Sequence, residues 1–122
     1  MGLDTDIYRV NRKKAESTIC ISHITGYPYL DYWSVKDDVT SILYQRKHYH
    51  LQNVLVGITD WNQCEYIELT KLKAYHLLHV MQQRYKGESS NARRRREAFT
   101  RKFKEVLHNF EWERDMMVWN WS

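Results

Sequence analysis

The sequence has 122 residues, a formal net charge of +4 and 43% apolar residues, with five Trp, nine Tyr and three Phe. This length predicts one domain, and the many aromatic side chains exclude an intrinsically disordered chain. The apolar runs are too short for a transmembrane helix, and residues 1–6 lack the basic and apolar regions of a signal peptide. We therefore expect a single domain over residues 1–122 that is cytoplasmic and makes no contact with a membrane.

The first predicted element is a β-strand. Residues 3–10 alternate in polarity, as a half-buried strand does. The alternation places Thr5 and Ile7 on one face of the strand, and Asp4 and Asp6 on the other.

A turn and a second strand are predicted next. Residues 11–14 are polar or basic and indicate a turn. Residues 17–24 contain many β-branched side chains, which favours a strand. Residues 26–29 end this strand, because Pro28 disfavours helical angles at the residue before it.

From Ser34 the apolar residues recur at spacings of three, four and seven, which is typical of an amphipathic helix. The pattern predicts one helix, or two consecutive helices, ending before Gly57. Ser34 followed by Asp37 resembles a capping box. Residues 54–58 are alternatively a short strand, since periodicity does not decide short apolar runs. The apolar positions are Val35, Val39, Ile42, Leu43, Leu51, Val54 and Leu55.

The second half predicts a strand followed by a helix. Residues 64–69 alternate and indicate a strand. Thr70 is the expected N-cap of a helix of about 16 residues, with Gly87 as the glycine that ends it. The apolar stripe of this helix consists of Leu72, Tyr75, Leu78, Met81 and Tyr85.

A last helix and a last strand complete the chain. The helix begins at about Ala92, and residues 116–121 predict the strand. The apolar face of the helix consists of Phe99, Phe103, Val106, Leu107 and Phe110. The resulting order β-β-α-β-α-α-β predicts an α+β fold, with a small antiparallel or mixed sheet packed against about three helices.

The charge is concentrated in residues 93–104, which hold seven basic residues and one acidic residue. Such asymmetry indicates an anionic partner. Helical spacing places Arg96 in line with the apolar face, so we expect it at the edge of the core. Arg93 and Arg94 fall on the far side, where Arg101 and Lys104 extend a basic stripe.

The predicted contact surface combines this basic segment with aromatic side chains. Trp119 and Trp121 lie on one face of the last strand, either in the core or as anchors of an interface. Tyr85 is a further candidate for stacking. The predicted contact residues are Arg93, Arg94, Arg95, Arg96, Arg101, Lys102, Lys104, Trp119 and Trp121.

We expect no metal and no cofactor. A zinc site built from the histidines at 48, 50, 76 and 79 with Cys64 is an alternative, but the ligand spacing of structural zinc sites is missing. His76 and His79 are instead expected to be half-buried packing residues. Cys20 and Cys64 are expected to be reduced thiols, with a disulfide between them as the alternative.

Catalytic motifs are missing as well, since the sequence has neither a glycine-rich phosphate loop nor a Gly-x-Ser-x-Gly motif. Asp4 and Asp6 point the same way on a strand. With Glu65 and Glu68 they would form the acidic site of a small metal-dependent nuclease, which is a third-choice hypothesis. We expect these carboxylates to be solvated and the protein not to be an enzyme.

Four short stretches together resemble a family of small bacteriophage and prophage proteins. They are the Met-Gly-Leu-Asp opening, Tyr44-Gln45-Arg46-Lys47 with the residues after it, Cys64-Glu65-Tyr66-Ile67 before a helix, and the aromatic segment 118–122. The chain departs from the family at Gln45, where Trp is favoured, after Cys64, where Gly is missing, and in its arginine run. The resemblance implies a phage accessory protein in the host cytoplasm and supplies no catalytic residues.

We therefore expect a non-catalytic binding protein that inhibits or modulates a host nucleic-acid-handling or defence machine, as anti-CRISPR proteins do. Its partner would be a host protein or ribonucleoprotein complex, bound through the arginine-rich surface. The alternative is an accessory protein that binds DNA or RNA directly.

Overall fold

Six strands form one antiparallel sheet in the part of the chain that the structure, a computed structural model, describes, namely residues 4–23, 26, 28–59 and 65–121. The strands are β1 (Asp4–Asn11), β2 (Ile19–Ile21), β3 (Pro28–Leu30), β4 (Thr40–Arg46), β5 (Tyr66–Glu68) and β6 (Asp115–Trp121). Their order across the sheet is β2-β3-β5-β6-β1-β4. Predicted features at Leu3, Ile24, Tyr27 and Cys64 lie outside the described residues.

Five helices accompany the strands within those described ranges. They are α1 (Arg12–Glu16), α2 (Tyr32–Val35), α3 (Tyr49–Thr59), α4 (Lys71–Met81) and α5 (Ser90–Asn109). No helix among the described residues is sufficiently long and apolar to cross a membrane. The predicted α+β class and the antiparallel sheet are confirmed.

The larger hydrophobic cluster lies between one face of the sheet and α3, α4 and α5. Four buried side chains form a row across the strands, because the register pairs Ile67 with Trp119, Trp119 with Ile7 and Ile7 with Leu43. Such cross-strand pairs stabilise a sheet. This row forms the floor on which the three long helices pack.

A smaller cluster covers the opposite face with the two short helices. Ala15 of α1 and Val35 of α2 pack against Val10, Met116 and Val118. Residues 115–119 of β6 are therefore buried without interruption, since both faces of this strand are covered.

The predicted long helix from Ser34 is wrong, because residues 40–46 form β4 and only the ends of that segment are helical. The pairing of β4 with β1 shifts register opposite Ile7 and Tyr8, which leaves Ile42 as an extra residue. A bulge of this kind interrupts strict alternation. Asp31, not Ser34, caps α2 by accepting a hydrogen bond from the Ser34 backbone N–H.

Two short elements were also not predicted. The expected turn at residues 11–14 is the start of α1, whose first N–H groups donate to the side chain of Asn11. The predicted second strand is shorter than expected, since β2 ends at Ile21, and Pro28 opens β3. Residues 54–58 lie in α3, so the alternative of a strand there is wrong as well.

The predicted cap of α4 is confirmed, since Thr70 Oγ1 accepts from the Lys73 backbone N–H at 3.3 Å. The helix ends earlier than predicted, at Met81. Gly87 has a φ of +86° in a turn closed by the Glu88 N–H and the Tyr85 carbonyl, where a positive φ favours glycine. Of the predicted stripe, Leu72 and Tyr75 are exposed, and the buried positions are Ala74, Leu77, Leu78 and Met81.

Replacement of Trp119 tests the central row. Trp119 is fully buried and its indole Nε1–H donates to Thr59 Oγ1 at 3.1 Å. Trp119→Ala is expected to lower the free energy of unfolding by about 3–5 kcal/mol, measured by chemical denaturation. Trp33→Ala is the control, because Trp33 is 76% exposed, and its effect should stay within about 0.5 kcal/mol. Equal effects of both substitutions would contradict this packing.

Candidate functional site

The predicted basic segment lies on α5. Ser89 caps the helix by accepting from the Ala92 backbone N–H at 3.1 Å. The predicted apolar face is present, and its buried residues are Phe99, Phe103 and Leu107, with Val106 and Phe110 partly buried. The helix is thus fixed on the sheet along one stripe, and its remaining positions carry the basic side chains.

Arg96 is buried, with 3% of its surface exposed. The prediction that it contacts a partner is therefore wrong. Its guanidinium donates to both carboxylate oxygens of Glu88, at 2.5 and 3.1 Å, and to the Met81 carbonyl at 2.9 Å. The hydrogen bond from Arg96 holds the pKa of the Glu88 carboxyl below its usual value. This ion pair ties the end of α4, the following loop and α5 together.

The other three arginines of the run are exposed and each has a partner. Arg93 forms an ion pair with Glu97 at 2.8 Å. Arg94 donates to the side-chain carbonyl of Asn91 at 3.0 Å, and Arg95 donates to the backbone carbonyl of Lys47 at 2.8 Å. Arg94 and Arg95 bind neutral acceptors, so their positive charges remain uncompensated.

Further along α5, the structure shows no ion pair between Arg101, Lys102 or Lys104 and any described carboxylate. All three are exposed. Arg101 and Lys104 line a cleft toward α4 together with Tyr75, whereas Lys102 lines a different cleft beside β4. The predicted basic surface is therefore divided between two sides of α5.

The two predicted tryptophans are not free surface residues. Trp119 is fully buried in the central row, so its prediction as a contact is wrong. Trp121 is partly buried and its ring packs edge-to-face on Trp119, with centroids 6.0 Å apart. The alternative prediction, which placed these residues in the core, is correct for Trp119.

The histidines do not converge. His48 is buried on the floor of a cleft, His50 is half-buried beside it, and His76 and His79 are exposed on α4 rather than half-buried as expected. Within the described residues, no group of three His, Cys, Asp or Glu side chains is placed to hold a metal ion. Cys20 is a free thiol, and its possible partner Cys64 lies outside those residues.

The carboxylates of the nuclease hypothesis form no metal-holding group among the described residues. Asp6 accepts from Ser41 Oγ at 2.6 Å, and Asp4 accepts from the Tyr44 hydroxyl. Glu65 accepts from the Tyr32 backbone N–H, and burial raises the pKa of Glu68. The aspartates are thus held by neighbouring hydroxyls on β4.

Sequence reasoning missed Glu88, Tyr75 and Lys47. Glu88 compensates Arg96, Tyr75 stands beside the cations of α5, and the Lys47 carbonyl accepts from Arg95. A buried arginine requires an anionic partner, and Glu88, in the loop before α5, was the acidic residue in the sequence that could have indicated the pair. Tyr75 was assigned to the core because it falls within the apolar spacing of α4.

The Arg96–Glu88 pair can be tested by a double-mutant cycle. Arg96→Met leaves the Glu88 carboxylate without its counter-charge, so the free energy of unfolding should fall by more than it does in the surface control. Adding Glu88→Gln should recover part of this loss, because the stranded charge is removed. Arg94→Met is the matched control on the exposed side and should change stability by less than about 0.5 kcal/mol. An additive double mutant would exclude the coupling.

His48 predicts a pH dependence of stability. Burial, followed by the nearby positive charges of Arg95 and His50, lowers its pKa from 6.5 to about 4. Between pH 6.5 and 4 the unfolded chain therefore binds a proton at His48 that the folded chain excludes. The contribution of neutral His48 to the free energy of unfolding is fully present above pH 6.5 and is lost as the pH falls toward 4. The free energy of unfolding should decline by about 2 kcal/mol over this range.

Denaturant titrations between pH 7 and 4 measure this decline. His48→Gln should flatten the dependence, because glutamine does not titrate, and His76→Gln should leave it unchanged, since His76 is exposed. The same slope in wild type and His48→Gln would show that His48 is not its source.

Comparisons with known proteins do not extend the assignment. No family model matches the chain, and searches of curated proteins and of solved structures found no match. The resemblance to phage proteins stays a prediction.

Proposed function

We propose that the protein is a non-catalytic binding protein that uses the exposed basic side chains of α5 to dock on an acidic surface of a host nucleic-acid-handling or defence machine. We define the α5 surface as Arg94, Arg101, Lys102 and Lys104. The carrying observation is that these cations have no carboxylate partner among the described residues, although Glu97 and Glu105 lie on the same helix.

Uncompensated surface charge favours association. Charged residues that pair within a protein lose much of their attraction for a partner, whereas unpaired ones raise the rate and specificity of binding. Two arginines of the run are already paired within the protein, Arg93 with Glu97 on the surface and Arg96 with the buried Glu88. The cations left over therefore form the part of the segment available for binding.

A discrete acidic protein surface fits this arrangement better than a long polyanion. The net charge is only +4, Glu97 and Glu105 interrupt the basic side chains, and Lys102 faces a different side of α5 from Arg101. A protein surface can present opposite charges at each position of such a mixed pattern. A wrong partner would place like charges opposite each other and would be rejected. Inhibition would then follow from occupying a surface that the machine uses.

Direct nucleic-acid binding is the second candidate. Tyr75 is 45% exposed and lines the same cleft as Arg101 and Lys104. An exposed aromatic ring beside cations is the combination that single-stranded nucleic acids use for stacking and phosphate contacts.

Affinity purification of the tagged chain tests the proposal. The variant Arg101→Ala/Lys102→Ala/Lys104→Ala removes three charges from the α5 surface. It should weaken the specific protein complex by roughly tenfold, since each surface charge contact contributes about 0.2–1 kcal/mol. The control Lys13→Ala/Lys71→Ala/Lys86→Ala removes the same charge from other exposed positions and should leave binding unchanged.

The purified partner should lose activity when wild-type protein is added and keep it with the α5 variant. Recovery of nucleic acid alone, with an affinity that falls steeply with salt and a slope that the α5 variant reduces, would favour the second candidate. Unchanged inhibition by the α5 variant would refute the role of this surface.

A further inference from the structure

A small cleft opens where α3 and α5 begin. Its volume is about 250 Å³, and its walls come from the end of β4, the first turn of α3, the loop before α5 and the first turns of α5. Lining residues include Lys47, Tyr49, His50, Tyr85, Asn91 and Arg95. This volume lies just below the roughly 300–1,000 Å³ of typical ligand pockets, so the cleft suits a small ligand that stays partly outside it.

The cleft is positively charged. Lys47 and Arg95 line it, and none of its described lining residues is acidic. Arg95 uses Nη1 to donate to the Lys47 carbonyl, and a guanidinium has further N–H donors for a ligand. Glu88 is the neighbouring carboxylate, but it is engaged by Arg96. An anion entering the cleft therefore meets two cations without an opposing charge.

The two histidines that line the cleft add no positive charge to it. Burial is the main cause that lowers the pKa of His48 to about 4. Burial also lowers the pKa of His50; the charge of Arg96 lowers this pKa as well, whereas the charge of Glu88 raises it. Both rings are therefore neutral near pH 7. The buried Nε2 of His50 has no hydrogen-bond partner among the described residues.

Aromatic rings stand next to the cations. His50 and Tyr85 stack with centroids 4.1 Å apart, and Tyr49 is 57% exposed beside them. Planar rings of this kind stack on nucleobases irrespective of sequence. The first turns of α3 and α5 also line the cleft, and the partial positive charge of helix N-termini adds to the attraction for an anion.

We propose that this cleft binds one nucleotide unit, with its phosphate at Lys47 and Arg95 and its base against the rings of Tyr49, His50 and Tyr85. The phosphate requires the uncompensated cations, and the base requires the ring faces. This site is separate from the α5 surface and does not depend on it, because Arg94, Arg101, Lys102 and Lys104 do not line the cleft.

Calorimetric titration of the full chain with three probes tests the proposal. The probes are inorganic phosphate, adenosine monophosphate and a short single-stranded DNA oligonucleotide. The monophosphate should bind more tightly than phosphate alone, since the rings add stacking. Tighter binding of the oligonucleotide would identify a nucleic-acid strand as the source of the nucleotide, and equal binding would identify a free nucleotide.

Variants locate the site. Arg95→Gln and Lys47→Asn should each weaken binding of the monophosphate by about tenfold, the loss expected for one charge-assisted contact. Asn suits position 47 because Lys47 has a φ of +50°. Tyr85→Leu should reduce binding of the monophosphate but not of inorganic phosphate. Lys13→Gln is the matched control, because Lys13 is exposed and lies outside both the cleft and the α5 surface, and it should bind as the wild type does.

Thermal unfolding of each variant separates loss of the site from loss of the fold, and three independent variants keep the test decisive if one is unstable. No binding of any probe at millimolar concentration would overturn the proposal. Equal binding of phosphate and monophosphate would overturn the role of the rings, and unaltered affinity in Arg95→Gln and Lys47→Asn would overturn the location. The triple alanine variant of the α5 surface should retain nucleotide binding, so the two proposals fail separately.

Discussion

The buried ion pair between Arg96 and Glu88 is the constraint on which both proposed surfaces depend. A guanidinium inside the protein requires an anion and further acceptors, which Glu88 and the Met81 carbonyl provide. Because Glu88 also closes the turn with the Tyr85 carbonyl, the pair fixes the loop that carries Tyr85 to the start of α5. Together with the apolar stripe of Phe99, Phe103 and Leu107, this attachment sets the rotation of α5 and hence the directions of its other cations.

One run of four arginines thus serves different purposes. Arg96 joins α4 to α5, Arg93 pairs with Glu97 on the surface, and Arg94 and Arg95 bind neutral acceptors and keep their charge. Adjacent residues on a helix point about 100° apart, so a contiguous basic block in sequence becomes a set of separate environments in space. Charge counting along a sequence therefore overestimates the size of a basic surface when the block is helical.

The sequence predicted β1 and α5, whose periodicity survives folding, together with β6, and it placed Arg96 in line with the buried Phe99 of α5. It failed at β4. Because of the bulge at Ile42, the adjacent residues Ile42 and Leu43 both pack on the larger cluster, and two adjacent apolar residues of this kind resemble the spacing of a helix. The cleft near Lys47 was beyond sequence reasoning, since its walls are distant along the chain. Tyr85 had been noted for stacking, but only the fold shows that its neighbour is His50.

The central position of β6 has a consequence for biosynthesis. β6 is the last strand in chain order, yet it lies between β5 and β1 in the sheet. Until residues 115–121 have emerged from the ribosome, the strands made earlier remain in two unjoined groups, with the apolar side chains of both exposed. Pairing of the first strand with the last also gives a high contact order, which slows folding. The nascent chain is accordingly expected to need chaperone protection until synthesis reaches this strand.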